Sequence, residues 1–320
     1  MPFALLPEQA AVQLWTAVDA AALLAALYLL DRRLGLSGAP RALFWLLAAW
    51  FPPLFAELDA GQRGGAILLA ALGALALVAT RPVLAGIAGG AAGALKLYPL
   101  AIAIGAPAGT RARLWPALAA SAALFTAVGF AFLGSPWLYV TGVLVPAATV
   151  HTSDCAITSV PSLWERTLGG AAYALPGPAG LTLHPAPLDA PGLATAVTLV
   201  VAAALIAGVL WTSARTAWDP VFGMLSGLAL GAVLPGEVYP YQWLPLLPLA
   251  LAVATGLAHR RRWPALALVG VLLLGFTRQP CDLPWPNLWT VSGLGLFATC
   301  LWHHRLFRSI ERRGRIDGDQ

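Results

Sequence analysis

A chain of 320 residues with 59% hydrophobic and 10% charged side chains is not a soluble domain, where about a quarter of residues are charged. A mean hydropathy of +0.76 and continuous apolar runs describe a polytopic helical membrane protein and exclude a barrel, which needs alternating strands. The net charge of +5 does not indicate nucleic acid, because the arginines are spread over short loops as positive-inside topology requires.

The first apolar run, 13–30, has no Lys or Arg before it and Asp31-Arg32-Arg33 after it. That order is the reverse of a cleavable signal peptide, so the run reads as a span with the N-terminus outside. Further spans read as 42–57, 64–80, 115–133, 191–211, 219–235, 241–258, 264–277 and 288–303. The expectation is one integral membrane domain over 1–320, an all-α polytopic bundle of about nine full spans plus a re-entrant half-helix pair. A large outer loop, 134–190, opens with SPWLYVTGVLVPAATV, read as a helix lying along the interface. Its segment 174–191 is rich in Pro and Gly and reads as irregular loop. Residues 304–320 form a basic cytoplasmic tail.

The half-helix pair rests on Lys96, the one lysine of the chain, which sits inside AGIAGGAAGALKLYPLAIAIGA. An ammonium at that depth costs a few kcal/mol and calls for a polar cavity or an anionic partner. Pro99 lacks the N–H of a continuing helix, so KLYP reads as a break between pieces at about 83–95 and 97–107. Charge counting tests this. With a re-entrant pair the eighteen arginines divide 15 inside (32, 33, 41, 81, 111, 113, 215, 260, 261, 262, 305, 308, 312, 313, 315) to 3 outside (63, 166, 278). With a single crossing the division becomes 6 to 12, which the positive-inside rule disfavours. The C-terminus is then cytoplasmic.

Tryptophans 15, 137, 164, 243, 285 and 289 fall near outer ends, and 115, 211, 218, 263 and 302 near inner ends, as two aromatic belts; Trp45 and Trp50 read as core. Cys155 and Cys281 both fall in outer loops, where a disulfide is open to them; Cys300 reads as packing. No metal-ligand spacing, nucleotide loop or nucleophile motif is present. Gly64-Gly65 and Gly89-Gly90 read as close helix packing.

Four segments should converge on the outer face: ELDAGQRGG with Glu57, Asp59, Gln62 and Arg63; Lys96 with Tyr98; the outer loop with His151, Asp154, Glu165 and Arg166; and LPGEVYPYQW with Glu237, Tyr239, Tyr241 and Gln242. A lysine at a membrane-depth cavity suits a lipid-linked phosphate, on which it acts as a point charge, and an arginine adds a bidentate contact. Tyr, Gln and carboxylates suit a sugar, and a carboxylate can deprotonate an acceptor hydroxyl. Blander readings stay open: Lys96 as an ion-pair partner of Glu57 or Glu237, Glu165-Arg166 as a solvated loop pair, Glu237 as a hydrated span end, and Gln62 as turn chemistry.

The stretch GQRGGAILLAALGALALVATRPVLAGIAGGAAGALKLYPLAIAIG, through Gly61-Gln62, Lys96, Tyr98, Pro99, Arg111 and Arg113, resembles the core of the glycosyltransferase family 87 mannosyltransferases, membrane enzymes of the GT-C class. SLWERTLGG is similar to the family's outer-loop Ser-Leu-x-x-Arg segment through Ser162, Leu163 and Arg166, and LPGEVYPYQWLPLLPLALA to its late outer turn. The likeness runs from about Pro7 to Arg262. It implies a multi-pass cell-membrane enzyme that transfers a hexose, mannose above all, from a polyprenyl-phosphate sugar to a lipid or glycan acceptor on the outer face. No cofactor or essential metal is expected, and the partners are donor, acceptor and membrane lipid, not nucleic acid. Lys96 and Arg166 would bind the donor phosphate; Gln62, Tyr98, Glu237, Tyr241 and Gln242 would bind substrate. The family's base lies on a first outer loop. MPFALLPEQAAVQLW resembles the end of that region, so the first span and its loop are expected to be missing here. Asp59, Glu57 or Asp154 could stand in for the base, with Asp59 as the first candidate. Two other readings stay open, a transporter or flippase of a lipid-linked anion and an inactive truncated relative.

Overall fold

The structure is a computed structural model that describes residues 6–133, 135–144, 157–170, 173–177, 180–215, 220–234, 239–277 and 288–303. Helix α1 (Glu8–Leu34) closes in a Schellman-type turn. Gly35, at φ +61°, donates to the Arg32 carbonyl and Leu36 donates to that of Asp31. Helix α2 (Gly38–Trp50) ends because Phe51 precedes Pro52-Pro53, and a residue before proline is pushed out of the helical region. Helix α3 (Pro52–Asp59) restarts at a 45° angle to it. Then follow α4 (Gly64–Leu77), α5 (Pro82–Leu95), a 3-10 turn (Tyr98–Ala103) and α6 (Ala108–Leu133). The region 134–190 holds the short α7 (Pro136–Tyr139), which passes into a π turn (Val140–Leu144), and α8 (Val160–Leu168). Beyond it come α9 (Pro191–Arg215), α10 (Pro220–Val233), a 3-10 turn (Pro240–Trp243), α11 (Leu246–His259), α12 (Trp263–Leu274) and α13 (Leu288–Trp302).

This is the expected all-α membrane bundle, and each apolar run of the sequence is a helix or helix pair. Their lengths differ from the expected nine full spans. Among the described residues only α1, α6 and α9 are long and apolar enough to cross a membrane, or four spans if α2–α3 counts as one. Helices such as α4 and α5, at 14 residues, reach about 21 Å against a ~30 Å hydrocarbon core. Proline and glycine at the ends trim them.

The re-entrant geometry can be read from neighbours. Helices α5 and α6 run parallel, because Gly86 lies against Leu114 and Gly90 against Leu118. Consecutive parallel helices require the chain between them to return to its starting level. It does so through residues 98–105, antiparallel to α10: Tyr98 abuts Gly231, Ala101 abuts Gly227 and Gly105 abuts Gly223. Lys96, in extended conformation (φ −147°, ψ 141°), forms the tip. The returning piece is a 3-10 turn rather than the second α-helix that the hydropathy suggests.

Helices α10 and α11 form the buried centre, beside an aromatic cluster in which Phe276 meets Phe51, Trp243 and Trp289 at ring separations of 5.6, 5.9 and 5.2 Å. Trp243 and Trp289 are therefore core rather than belt residues, whereas Trp50 is exposed rather than core. Trp115, Trp137, Trp211, Trp263 and Trp302 are exposed, as belt residues should be. Cys300 is buried packing. Within 174–191, expected as irregular loop, β1 (Tyr173–Gly177) and β2 (Gly180–His184) pair antiparallel, Leu175 opposite Thr182. Cys155, Cys281, His151, Asp154, Arg278 and the 304–320 tail lie outside the described residues.

Candidate functional site

The site is built around the first turn of α4. That turn begins with orphan N–H groups, and its N-cap, Arg63, offers no side-chain acceptor. Two carboxylates from other elements fill the gap. Glu57, buried on α3, accepts from the Gly64 N–H. Asp19, buried at mid-length in α1, accepts from Gly65 at 3.2 Å and Ala66 at 3.0 Å. The pair Gly64-Gly65 permits this: a Cβ on either would strike Glu57 or the Asp19 backbone. Trp15, one turn before Asp19, donates its indole N–H to the Gly61 and Gln62 carbonyls at 3.2 and 3.3 Å. Gly61 sits at φ +59°, so this turn needs glycine.

Lys96 faces this anchored corner. Glu57 and Asp19 attract its ammonium and Arg63 repels it. No carboxylate among the described residues lies within ion-pair distance; the described ion pair is Arg41–Asp31 elsewhere. Its close partner is aromatic, the Tyr241 ring, whose centroid is 4.9 Å from Nζ and within cation–π range. Tyr241 in turn stacks on Tyr239 at 5.8 Å and 6°. Thus Lys96 is half-buried and unneutralised by direct contact, with an aromatic wall on one side and two carboxylates held back by backbone amides on the other.

Of the residues singled out from sequence, Lys96, Tyr98, Gln62, Tyr241 and Gln242 gather here. Tyr98 packs its ring on the core and shares the field of Glu57 and Asp19. Gln62 is half-buried, with its backbone N–H on the Glu57 carbonyl. Gln242 turns inward, its Oε1 accepting the Tyr239 N–H at 2.6 Å, which shapes the aromatic turn that packs on α3. Asp59 ends α3 exposed; two residues from Glu57, it lies on the other face. Arg166 is buried, not half of a solvated pair, and donates from Nη2 to the Ile157 carbonyl at 2.7 Å. Glu237 lies outside the described residues.

Two features escaped the sequence reading. Asp19 carried a signal, since a lone carboxylate inside an apolar helix is costly and needs partners. The other is Trp243, whose indole N–H donates to Thr158 Oγ1 at 2.8 Å and ties the aromatic turn to the buried start of the α8 segment. Nothing in the spacing of residues 85 apart announces that bond.

No group of three or more His, Cys, Asp or Glu side chains among the described residues is placed to hold a metal ion. Comparison with known families matches residues 1–235 to the model of glycosyltransferase family 87, and on that match the chain belongs to this family. No curated protein and no solved structure matches it.

Proposed function

We propose that this family 87 glycosyltransferase moves a hexose, mannose above all, from a polyprenyl-phosphate sugar to a hydroxyl of a lipid or glycan acceptor on the outer face of the cell membrane. The observation that carries the reading is Lys96. A membrane-depth ammonium at a helix break, without an ion pair among the described residues, suits an anion that arrives with the substrate. In the reaction the acceptor oxygen attacks the anomeric carbon and the bond to the phosphate oxygen breaks. Polyprenyl phosphate departs with the added charge and the acceptor proton passes to a base. Lys96 neutralises the departing phosphate, the step at which a fixed cation contributes most. Arg166 would reach the same phosphate only by leaving the Ile157 carbonyl. Tyr98, Tyr241, Gln62 and Gln242 stand on the sugar side, where an aromatic face and amide groups recognise hydroxyls, and Glu237, outside the described residues, joins them as a candidate by its chemistry alone. Asp59 is the exposed candidate for the base.

The test is transfer from polyprenyl-phosphate mannose by membranes containing the full chain, with donor binding followed in parallel. Lys96→Ala should lose donor binding and transfer by about a hundredfold or more, the order expected for one donor to a developing charge, while Lys96→Arg restores part of the binding. Equal donor binding by Lys96→Ala and the parent would overturn the reading. Transport of the intact lipid-linked anion without sugar transfer would favour the flippase alternative.

A further inference from the structure

Helices α1 and α4 also run parallel, Asp19 meeting Gly65 at one end and Leu29 facing Leu72 and Leu75 towards the other. Between their last turns lies a groove of about 340 Å³, within the range of small-ligand clefts. Its floor is the buried Leu30, Leu72 and Leu75, its rim the exposed Leu29 and Ala76, and at one end stand Arg32 and Arg33. Both arginines are exposed and make no hydrogen bond or ion pair among the described residues. The adjacent acid, Asp31, does not neutralise them. It is buried and accepts from Arg41 Nε at 2.8 Å and Trp45 Nε1 at 3.1 Å. Both helices present their C-terminal ends here, which favours keeping guanidinium groups in place.

We infer that this groove holds one anionic membrane phospholipid, its phosphate on Arg32 and Arg33 and an acyl chain against the exposed Leu29 and Ala76. Charge complementarity selects the headgroup. Leu29 and Ala76, both exposed, open the groove sideways to the hydrocarbon, so a tail can enter without leaving the bilayer. A soluble phosphate would satisfy the arginines but leave the exposed Leu29 and Ala76 uncovered, so the source is a lipid. The site is at the opposite end of the bundle from Lys96 and does not depend on the transferase reading.

Native mass spectrometry of the full chain, titrated with phosphatidylglycerol or phosphatidylcholine, tests this. One phosphatidylglycerol should be retained in preference to phosphatidylcholine. Arg32→Gln with Arg33→Gln should lower that retention by about thirtyfold, the product of two charge contacts. The control pair Arg113→Gln with Arg262→Gln removes as much charge without touching the groove and should change it less than about twofold. Ala76→Trp, which keeps both arginines but fills the groove, should lower retention as well. Three results would overturn the proposal: equal loss in both arginine pairs, full retention in Ala76→Trp, or displacement of the lipid by glycerol phosphate at equal concentration.

Discussion

The two ends of the bundle handle charge in opposite ways. At the Lys96 end, two acids sit buried on helix walls and are cross-tied to backbone, Glu57 to Gly64 and Asp19 to Gly65 and Ala66, while Asp59 stays exposed. At the Arg32 end, most charge is exposed on loops and helix ends, with Asp31–Arg41 as the buried exception. The first arrangement fixes positions; the second leaves guanidinium groups exposed to meet a partner. Exposed charges are screened by salt and worth little to the fold individually, whereas a buried charge left unsatisfied is costly.

The largest effect expected from breaking this contrast comes from Gly227→Leu. Even a Cβ there would overlap the Ala101 carbonyl, so the 98–105 return could not lie on α10. Loss of a monodisperse peak in size-exclusion chromatography is the expected readout. Asp19→Ala comes next, leaving the Gly65 and Ala66 amides unpaired. A loss of about 1–2 kcal/mol, or several degrees of Tm, is expected by thermal unfolding in detergent. Asp19→Asn should recover much of it, because an amide oxygen still accepts. Lys96→Ala sharpens the contrast in the other direction: its Tm should stay level or rise while the proposed donor binding is lost, because a desolvated ammonium without an ion pair among the described residues is removed. Arg41→Gln, at the other end, should cost about 1–2 kcal/mol: Arg41 is 48% exposed, but its partner Asp31 is buried and, among the described residues, would keep only the Trp45 N–H. The smallest effect concerns His303, whose imidazole is held below its ordinary range by burial and by Arg262. The unfolded chain therefore takes up the proton first as pH falls through about 6.5, and the fold loses a little stability below that point. His303→Gln should flatten this slope.

Lys96 was legible because its chemistry contradicts its surroundings, and Pro99 marked the break beside it. The helices were legible because apolar runs bounded by arginine and proline leave few alternatives. Arg166 was read by type as a phosphate binder, but type does not reveal that its guanidinium folds back onto Ile157. The hairpin was hidden by Pro176, Gly177 and Gly180, which signal a loop. In a two-stranded ribbon alternate N–H groups face outward anyway, so a proline there need cost no ladder bond. The glycines of α10 were equally quiet. Gly223, Gly227 and Gly231 recur every four residues within an apolar helix, and only the structure shows which segment they admit.

That seam bears on how the site can open. Along 98–105 and α10 the chain touches main chain to main chain, with no long side chains between that could switch rotamer and let the surfaces slide. Shear between packed elements depends on such side chains. The lysine tip and α10 must therefore travel as one rigid body. If the proposed donor is admitted here, the other wall must give way, where an indole-to-hydroxyl bond, Trp243 to Thr158, ties the aromatic turn to the segment before α8.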